Sequence, residues 1–120
     1  MKPERRIAHR FLDILEAIDA IRSILAGETF EAFRGDRLKR PAVERYLEII
    51  SEASRHIPDA VKSGHGGVPW QKIAGLGNIL RHDYPDTNPS ILWDIYKNHL
   101  TQLEDTIRQA QPDYPEVDSD

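Results

Sequence analysis

The stretch Ile7-Ala-His-Arg-Phe-Leu-Asp-Ile-Leu-Glu-Ala-Ile-Asp-Ala-Ile-Arg-Ser-Ile-Leu25 decides the fold class. Its apolar residues Ile7, Phe11, Ile14, Leu15, Ile18, Ile21 and Leu25 recur at steps of three and four, the period of one face of an α-helix. A strand would place them at every second position, and no segment of this chain alternates in that way. The spacing predicts a long helix from about Glu4 to Leu25, stopped by Gly27.

Outward from this helix the same period returns. Phe30, Ala32 and Phe33, between Thr29 and Gly35, predict one or two helical turns that lay aromatic rings on the core. Val43, Tyr46, Leu47, Ile50, Ala53, Ser54 and Ile57 predict a second long helix, with Pro41 in its first turn and Pro58 at its end. Lys62-Ser-Gly-His-Gly-Gly-Val-Pro69 reads as a loop.

Pro69 and Trp70 open a third helix with Ile73, Leu76 and Leu80 inward, closed by Tyr84-Pro85. Gly75 and Gly77 inside it each cost roughly 1 kcal/mol of helix propensity relative to Ala, which points to close approach of another helix or a ligand. A last helix, capped by Asn88 or Ser90, carries Ile91, Leu92, Ile95, Tyr96, His99, Leu100, Leu103 and Ile107 inward as far as about Gln109. The expected architecture is all-α, an up-and-down four-helix bundle with a short extra helix over residues 1–111, followed by a flexible acidic tail over 112–120.

A chain of 120 residues is long enough for one domain with its own apolar core. It has no cysteine, which excludes a disulfide framework, a thiolate zinc site and a Cys nucleophile, and suits a reducing compartment. The charged start Met1-Lys-Pro-Glu-Arg-Arg6 leads into an amphipathic segment rather than a secretory one, and no run is long enough to span a membrane. A cytoplasmic location is expected. The net charge of -4 and a pI near 5.7 argue against a broadly basic nucleic-acid surface and leave room for a local basic site.

The residues suited to chemistry gather at the end of the third predicted helix. Asn78, Arg81, His82, Asp83 and Tyr84 fall within seven positions. An imidazole can give or take a proton near neutrality, so His82 is the candidate acid or base. Arg81 can neutralise a phosphate, Asn78 and Asp83 can orient a ring or hold a ligand, and Tyr84 carries a hydroxyl open to modification. The bland alternative is that Arg81 and His82 merely complement the negative end of the helix dipole.

Elsewhere the signals are weaker. His9, His56 and His99 lie on amphipathic helices, and His65 sits in a loop that lacks the Lys-Ser/Thr of a phosphate loop. No metal-ligand spacing is present, and the row Glu44, Glu48, Glu52 reads as a solvated face in the absence of a Glu-x-x-His pair. No cofactor is expected.

Taken together, Phe11-Leu-Asp-Ile-Leu-Glu-Ala-Ile18, Phe30-Glu-Ala-Phe33, Ala42-Val-Glu-Arg-Tyr-Leu-Glu-Ile-Ile-Ser-Glu-Ala53, Ile57-Pro-Asp59, Val68-Pro-Trp-Gln-Lys-Ile-Ala-Gly-Leu76 and Leu92-Trp-Asp-Ile95 resemble the HepT-like branch of the HEPN superfamily. These are small helical proteins paired with minimal nucleotidyltransferases in toxin–antitoxin systems. The resemblance implies a metal-independent ribonuclease whose motif is Arg-x4-His-x-Tyr, with His82 and Tyr84 at the His and Tyr and Asn78 at the Asn that often follows the Arg. At the Arg position this chain has Gly77. On an ideal helix Arg81 differs from position 77 by only ~40° in azimuth and about 6 Å in height relative to His82, so it is the expected replacement.

The resemblance further implies a homodimer whose two motifs face one another across a cleft that takes RNA. It also implies control by a nucleotidyltransferase antitoxin that transfers AMP to Tyr84. The departure at Gly77 and the acidic charge fit a second reading, a helical subunit that binds and positions a nucleotidyltransferase without cutting RNA.

Overall fold

The computed structural model describes residues 3–64, 67–82 and 88–115. Seven helices occupy most of them: α1 Pro3–Leu25, α2 Phe30–Arg34, α3 Lys39–Ser54, α4 Asp59–Ser63, α5 Trp70–Leu80, α6 Asn88–Asn98 and α7 Leu100–Ala110. A 3-10 turn, Gln111–Asp113, follows α7, and no strand occurs among the described residues. The all-α expectation stands, in the form of a bundle.

The boundaries have local causes. Gly27, at φ 76°, takes the left-handed conformation that ends α1, and the Leu25 carbonyl there accepts from the Glu28 N–H at 3.0 Å. Thr29 caps α2 by accepting from the Ala32 N–H at 3.2 Å. Ahead of α3, the Asp36 carboxylate accepts from the N–H groups of Leu38 and Lys39 at 2.9 and 2.8 Å. Those two bonds hold its pKa below the usual carboxylate value.

Helix α3 packs against both α1 and α5. Phe11, Ile14, Ile18 and Ile21 of α1, Val43, Leu47 and Ile50 of α3, Ile73 and Leu76 of α5, and Leu92, Ile95, Leu103 and Ile107 of the last two helices form one buried cluster. Trp93 of α6 lies against Phe33 of α2, ring centroids 5.6 Å apart, so the short helix does lay an aromatic on the core. No described helix is long and apolar enough to cross a membrane.

Four expectations are corrected. Helix α3 ends at Ser54 rather than at Pro58. The buried Ser54 hydroxyl takes the Ser51 carbonyl at 2.7 Å, and the next three N–H groups bond three residues back, tightening the end to a 3-10 turn. The loop expected from Lys62 begins with the last residues of α4. Helix α5 ends at Leu80 rather than at Tyr84-Pro85, with the His82 N–H reaching the Ile79 carbonyl at 3.2 Å. The single last helix is two, broken at His99, where φ is -128°. There Asp94 accepts from Asn98 Nδ2 at 2.8 Å and lies 3.3 Å from His99 Nε2, so the side chains at the break fold back onto the preceding turn.

Two further expectations are modified. Asn88, the first residue of α6, is not a side-chain cap among the described residues, where its Oδ1 has no partner and its Nδ2 donates to the His82 carbonyl. The tail expected from residue 112 is tied down as far as Tyr114, whose ring meets Phe11 edge-on at 5.6 Å.

Candidate functional site

The candidate residues sit where α5 leaves the bundle. Arg81 and His82 are both exposed just past its last turn. Arg81 Nη1 donates to Asn78 Oδ1 at 3.5 Å, so two of the expected site residues are brought together. His82 lies beyond the helix, and the shared helix face expected for Asn78 and His82 does not persist to residue 82. Asp83 and Tyr84 lie outside the described residues, as does His65.

Asn88 ties this exit to the fold. It is 2 % exposed, and its Nδ2 donates to the His82 carbonyl at 2.9 Å. The backbone of the candidate acid or base is therefore held from α6, while the residue as a whole is exposed. A cavity of about 380 Å³ adjoins the exit, lined by Arg37, Arg40, Leu80, Arg81 and Asn88 among others. Two of these carry buried polar atoms without a partner among the described residues, Arg40 Nε and Asn88 Oδ1.

On its other side Arg81 lines a second cavity, of about 220 Å³, formed with Arg45, Ser51, Arg55 and Gly77 and edged by Glu48 and Glu52. This is the seam between α3 and α5, and it is polar. The Ser51 hydroxyl donates to the Ala74 carbonyl at 2.9 Å and accepts from the Gly77 N–H at 3.2 Å. Arg55 adds two donors to the same carbonyl, Nε at 3.3 Å and Nη2 at 2.9 Å.

The two glycines of α5 thus differ. A Cβ on Gly77 would stand 3.6 Å from Ser51 Oγ and 3.7 Å from Arg55 Nη2, while one on Gly75 would meet no other element among the described residues within 4 Å. Close approach of a second helix explains Gly77 and does not explain Gly75.

The row Glu44, Glu48, Glu52 lies along the rim of these cavities, with Glu48 and Glu52 well exposed as a solvated face requires. Glu48 pairs with Arg45 at 3.5 Å, and Glu52 lies 3.8 Å from Arg55 and 3.2 Å from His56. Around the two cavities five arginines (37, 40, 45, 55 and 81) face three glutamates (44, 48 and 52), a local excess of two positive charges in a chain of net charge -4. Sequence reasoning found Arg81 and missed Arg37, Arg40, Arg45, Ser51 and Arg55. The available signal was Ser51 and Arg55 at i and i+4, one face of a helix, opposite a helix that carries Gly-x-Gly.

Residues 14–110 match the family model described as Ribonuclease HepT-like. The chain belongs to the HepT-like ribonuclease family. It is 37% identical over 92 residues to a protein of Thermococcus cleftensis named "Probable ribonuclease HepT", covering 77% of this chain and 84% of that one. It is 32% identical over 96 residues to a protein of Caldanaerobacter subterraneus named "Putative RNase", covering 80% and 86%. Another "Putative RNase", from Methanocaldococcus jannaschii, is 31% identical over 113 residues, covering 91% and 93%. No solved structure matches the chain.

Proposed function

We propose that this HepT-like chain is a metal-independent endoribonuclease of the toxin type, acting as a homodimer and held in check by a cognate minimal nucleotidyltransferase. The observation that carries this reading is the α5 exit. There His82, its backbone tied to Asn88 at 2.9 Å, directly follows Arg81, which lines an arginine-rich groove.

In the reaction the neutral imidazole of His82 takes the proton of a ribose 2′-hydroxyl. The 2′-oxygen bonds to the adjacent phosphorus, the bond to the 5′-oxygen breaks, and that oxygen leaves with a proton from the protonated His82 of the second protomer. The products are a 2′,3′-cyclic phosphate and a 5′-hydroxyl. Arginine charge stabilises the phosphoryl oxygens as negative charge builds on them.

Control acts on the same site. The Tyr84 hydroxyl attacks the α-phosphorus of ATP bound by the partner enzyme, pyrophosphate leaves, the tyrosyl proton is released, and AMP remains on the ring. The added negative charge and bulk beside His82 then repel RNA.

The test is RNA cleavage by wild type and His82→Ala, with and without partner and ATP, with product ends and Tyr84 mass as readouts. Cleavage by wild type alone, lost in His82→Ala and suppressed with AMP on Tyr84, is expected. A homogeneous wild type indistinguishable from His82→Ala over a broad pH range overturns the enzymatic reading.

Gly77 favours one rival, a helical subunit that docks a nucleotidyltransferase without cutting RNA. On that reading Gly77→Arg creates cleavage in an otherwise inactive protein and leaves complex formation unchanged.

A further inference from the structure

We infer that Arg55 is a phosphate-binding residue of this site, reaching from α3 into the space that Gly77 leaves open on α5. A Cβ on residue 77 would stand 3.7 Å from Arg55 Nη2, so the guanidinium occupies the ground over which a long side chain at 77 would run. The site lacks a cation on α5 at residue 77 and receives one from the neighbouring helix.

The guanidinium is held rather than swinging. Nε and Nη2 both donate to the Ala74 carbonyl, at 3.3 and 2.9 Å, which uses two of its five N–H groups and leaves three for a ligand. Its nearest acid, Glu52, is 3.8 Å from Nη1, too far for a hydrogen bond and easily displaced by a phosphate. Oxygen pairs of a phosphodiester match the planar fork that Nη1 and Nη2 present.

The surroundings fit the same ligand. Arg55 shares its cavity of about 220 Å³ with Arg45 and Arg81, against the carboxylates of Glu48 and Glu52. Three cations against two anions leave the cavity net positive in an acidic chain. Arg81 belongs to this cavity and also to the one that contains Asn88, the residue bonded to the His82 carbonyl. A phosphate gripped by Arg55 and Arg81 therefore lies one residue along the chain from His82, whose carbonyl Asn88 holds. The identity of the anion as an RNA phosphate rests on the ribonuclease reading, and the presence of an anion subsite does not.

The experiment separates the two. Binding of a 2′-O-methyl oligonucleotide, which cannot be cleaved, is measured by fluorescence anisotropy over a range of salt for wild type, Arg55→Ala, Arg55→Gln, His82→Ala and the double variant Arg55→Ala/Gly77→Arg. Loss of one phosphate contact from a single strand lowers the salt slope by about 0.7, and this is expected for both Arg55 variants and not for His82→Ala. Cleavage of the unmodified RNA is expected to fall about 100-fold in kcat in Arg55→Gln, which keeps a donor for the Ala74 carbonyl.

The double variant, which moves the guanidinium back to α5, is expected to recover at least a tenth of wild-type cleavage and the full salt slope. A purely structural clasp on Ala74 would not be rescued by a cation at residue 77. Unchanged affinity and slope in Arg55→Ala, in a protein that still melts cooperatively, overturns the inference and leaves the ribonuclease reading standing. If wild type cuts no RNA, the ribonuclease reading fails, and the salt slopes still decide whether Arg55 binds phosphate.

Discussion

Helix α3 has two neighbours and meets them in different ways. With α1 it shares large apolar side chains, Val43, Leu47 and Ile50 joining Phe11, Ile14 and Ile18 in a cluster from which water is excluded. With α5 it makes a polar seam as well, in which Ser51 and Arg55 reach the Ala74 carbonyl and the Gly77 N–H. The first contact is non-directional and tolerant of detail. The second is made of hydrogen bonds with fixed geometry, and it is the one that borders the candidate site. One helix therefore serves as ballast on one side and as a positioning element on the other.

Breaking the two sides is expected to separate stability from function. Leu47 is fully buried, and Leu47→Ala should cost about 3 kcal/mol through lost transfer energy and the cavity left behind. Urea unfolding would show this as a lower midpoint, with RNA cleavage per folded molecule retained well below the transition. Ser51→Ala removes a hydroxyl that is both donor and acceptor across the seam, a cost of about 0.5–1.5 kcal/mol for each hydrogen bond lost. Its larger effect should fall on cleavage, because the spacing of α5 from Arg55 is set there. Equal loss of activity per folded molecule in the two variants would abolish the distinction.

What could be read from the sequence follows the same division. Burial of a continuous apolar face depends on a period, and the period of Ile7 to Leu25 and of Val43 to Ile57 is written in the residue types. Those helices formed where expected, the second ending a few residues early where Ser54 competes with the helix, and α5 is likewise shortened by the 3-10 geometry after Leu80. The polar seam depends on backbone atoms of a distant segment. The acceptor of Arg55 is a carbonyl, which every residue possesses, so nothing in the side-chain pattern announces that Ala74 is its partner. For the same reason the residue types offer Asn88 or Ser90 as the cap of α6, whereas the Asn88 side chain is a tether for the His82 carbonyl. The glycines show both outcomes: Gly77 faces Ser51, and Gly75 faces open space.

That contrast within α5 gives a smaller prediction of opposite sign. Gly75→Ala places its methyl where, among the described residues, no atom beyond its own stretch of helix lies within 4 Å and gains helix propensity, so it should stabilise the protein by about 0.5–1 kcal/mol. Gly77→Ala gains the same propensity with its Cβ in contact with Ser51 and Arg55, and should stabilise less while lowering RNA affinity. Thermal melts of the two variants side by side would sharpen the view that only one glycine belongs to the seam. A destabilised Gly75→Ala would mean that α5 is approached there by something else.

The smallest effect tests a third kind of contact, between α5 and α6, which is ionic and near the surface. Asp94 accepts from Lys72 Nζ at 2.8 Å and from Asn98 Nδ2 at 2.8 Å. The Lys72 bond first, then the Asn98 bond, lower its pKa from the ordinary 3.8 to about 2. A carboxyl whose pKa falls on folding contributes stability that is fully present above its unfolded pKa, near pH 4. That contribution is lost as the pH drops through about 2, where the folded form takes up its proton. The side chain is 38% exposed, so salt screens the pair and its contribution belongs with modest surface interactions rather than with the buried seam. Between pH 4 and pH 2 the melting temperature of wild type should therefore fall slightly further than that of Asp94→Asn, and added salt should narrow the gap. Glu104 and Asp36, whose pKa values are also lowered, titrate in both proteins and cancel in the difference. A gap that persists unchanged in high salt would place Asp94 among the buried contacts and extend the polar seam from α3 through α5 to α6.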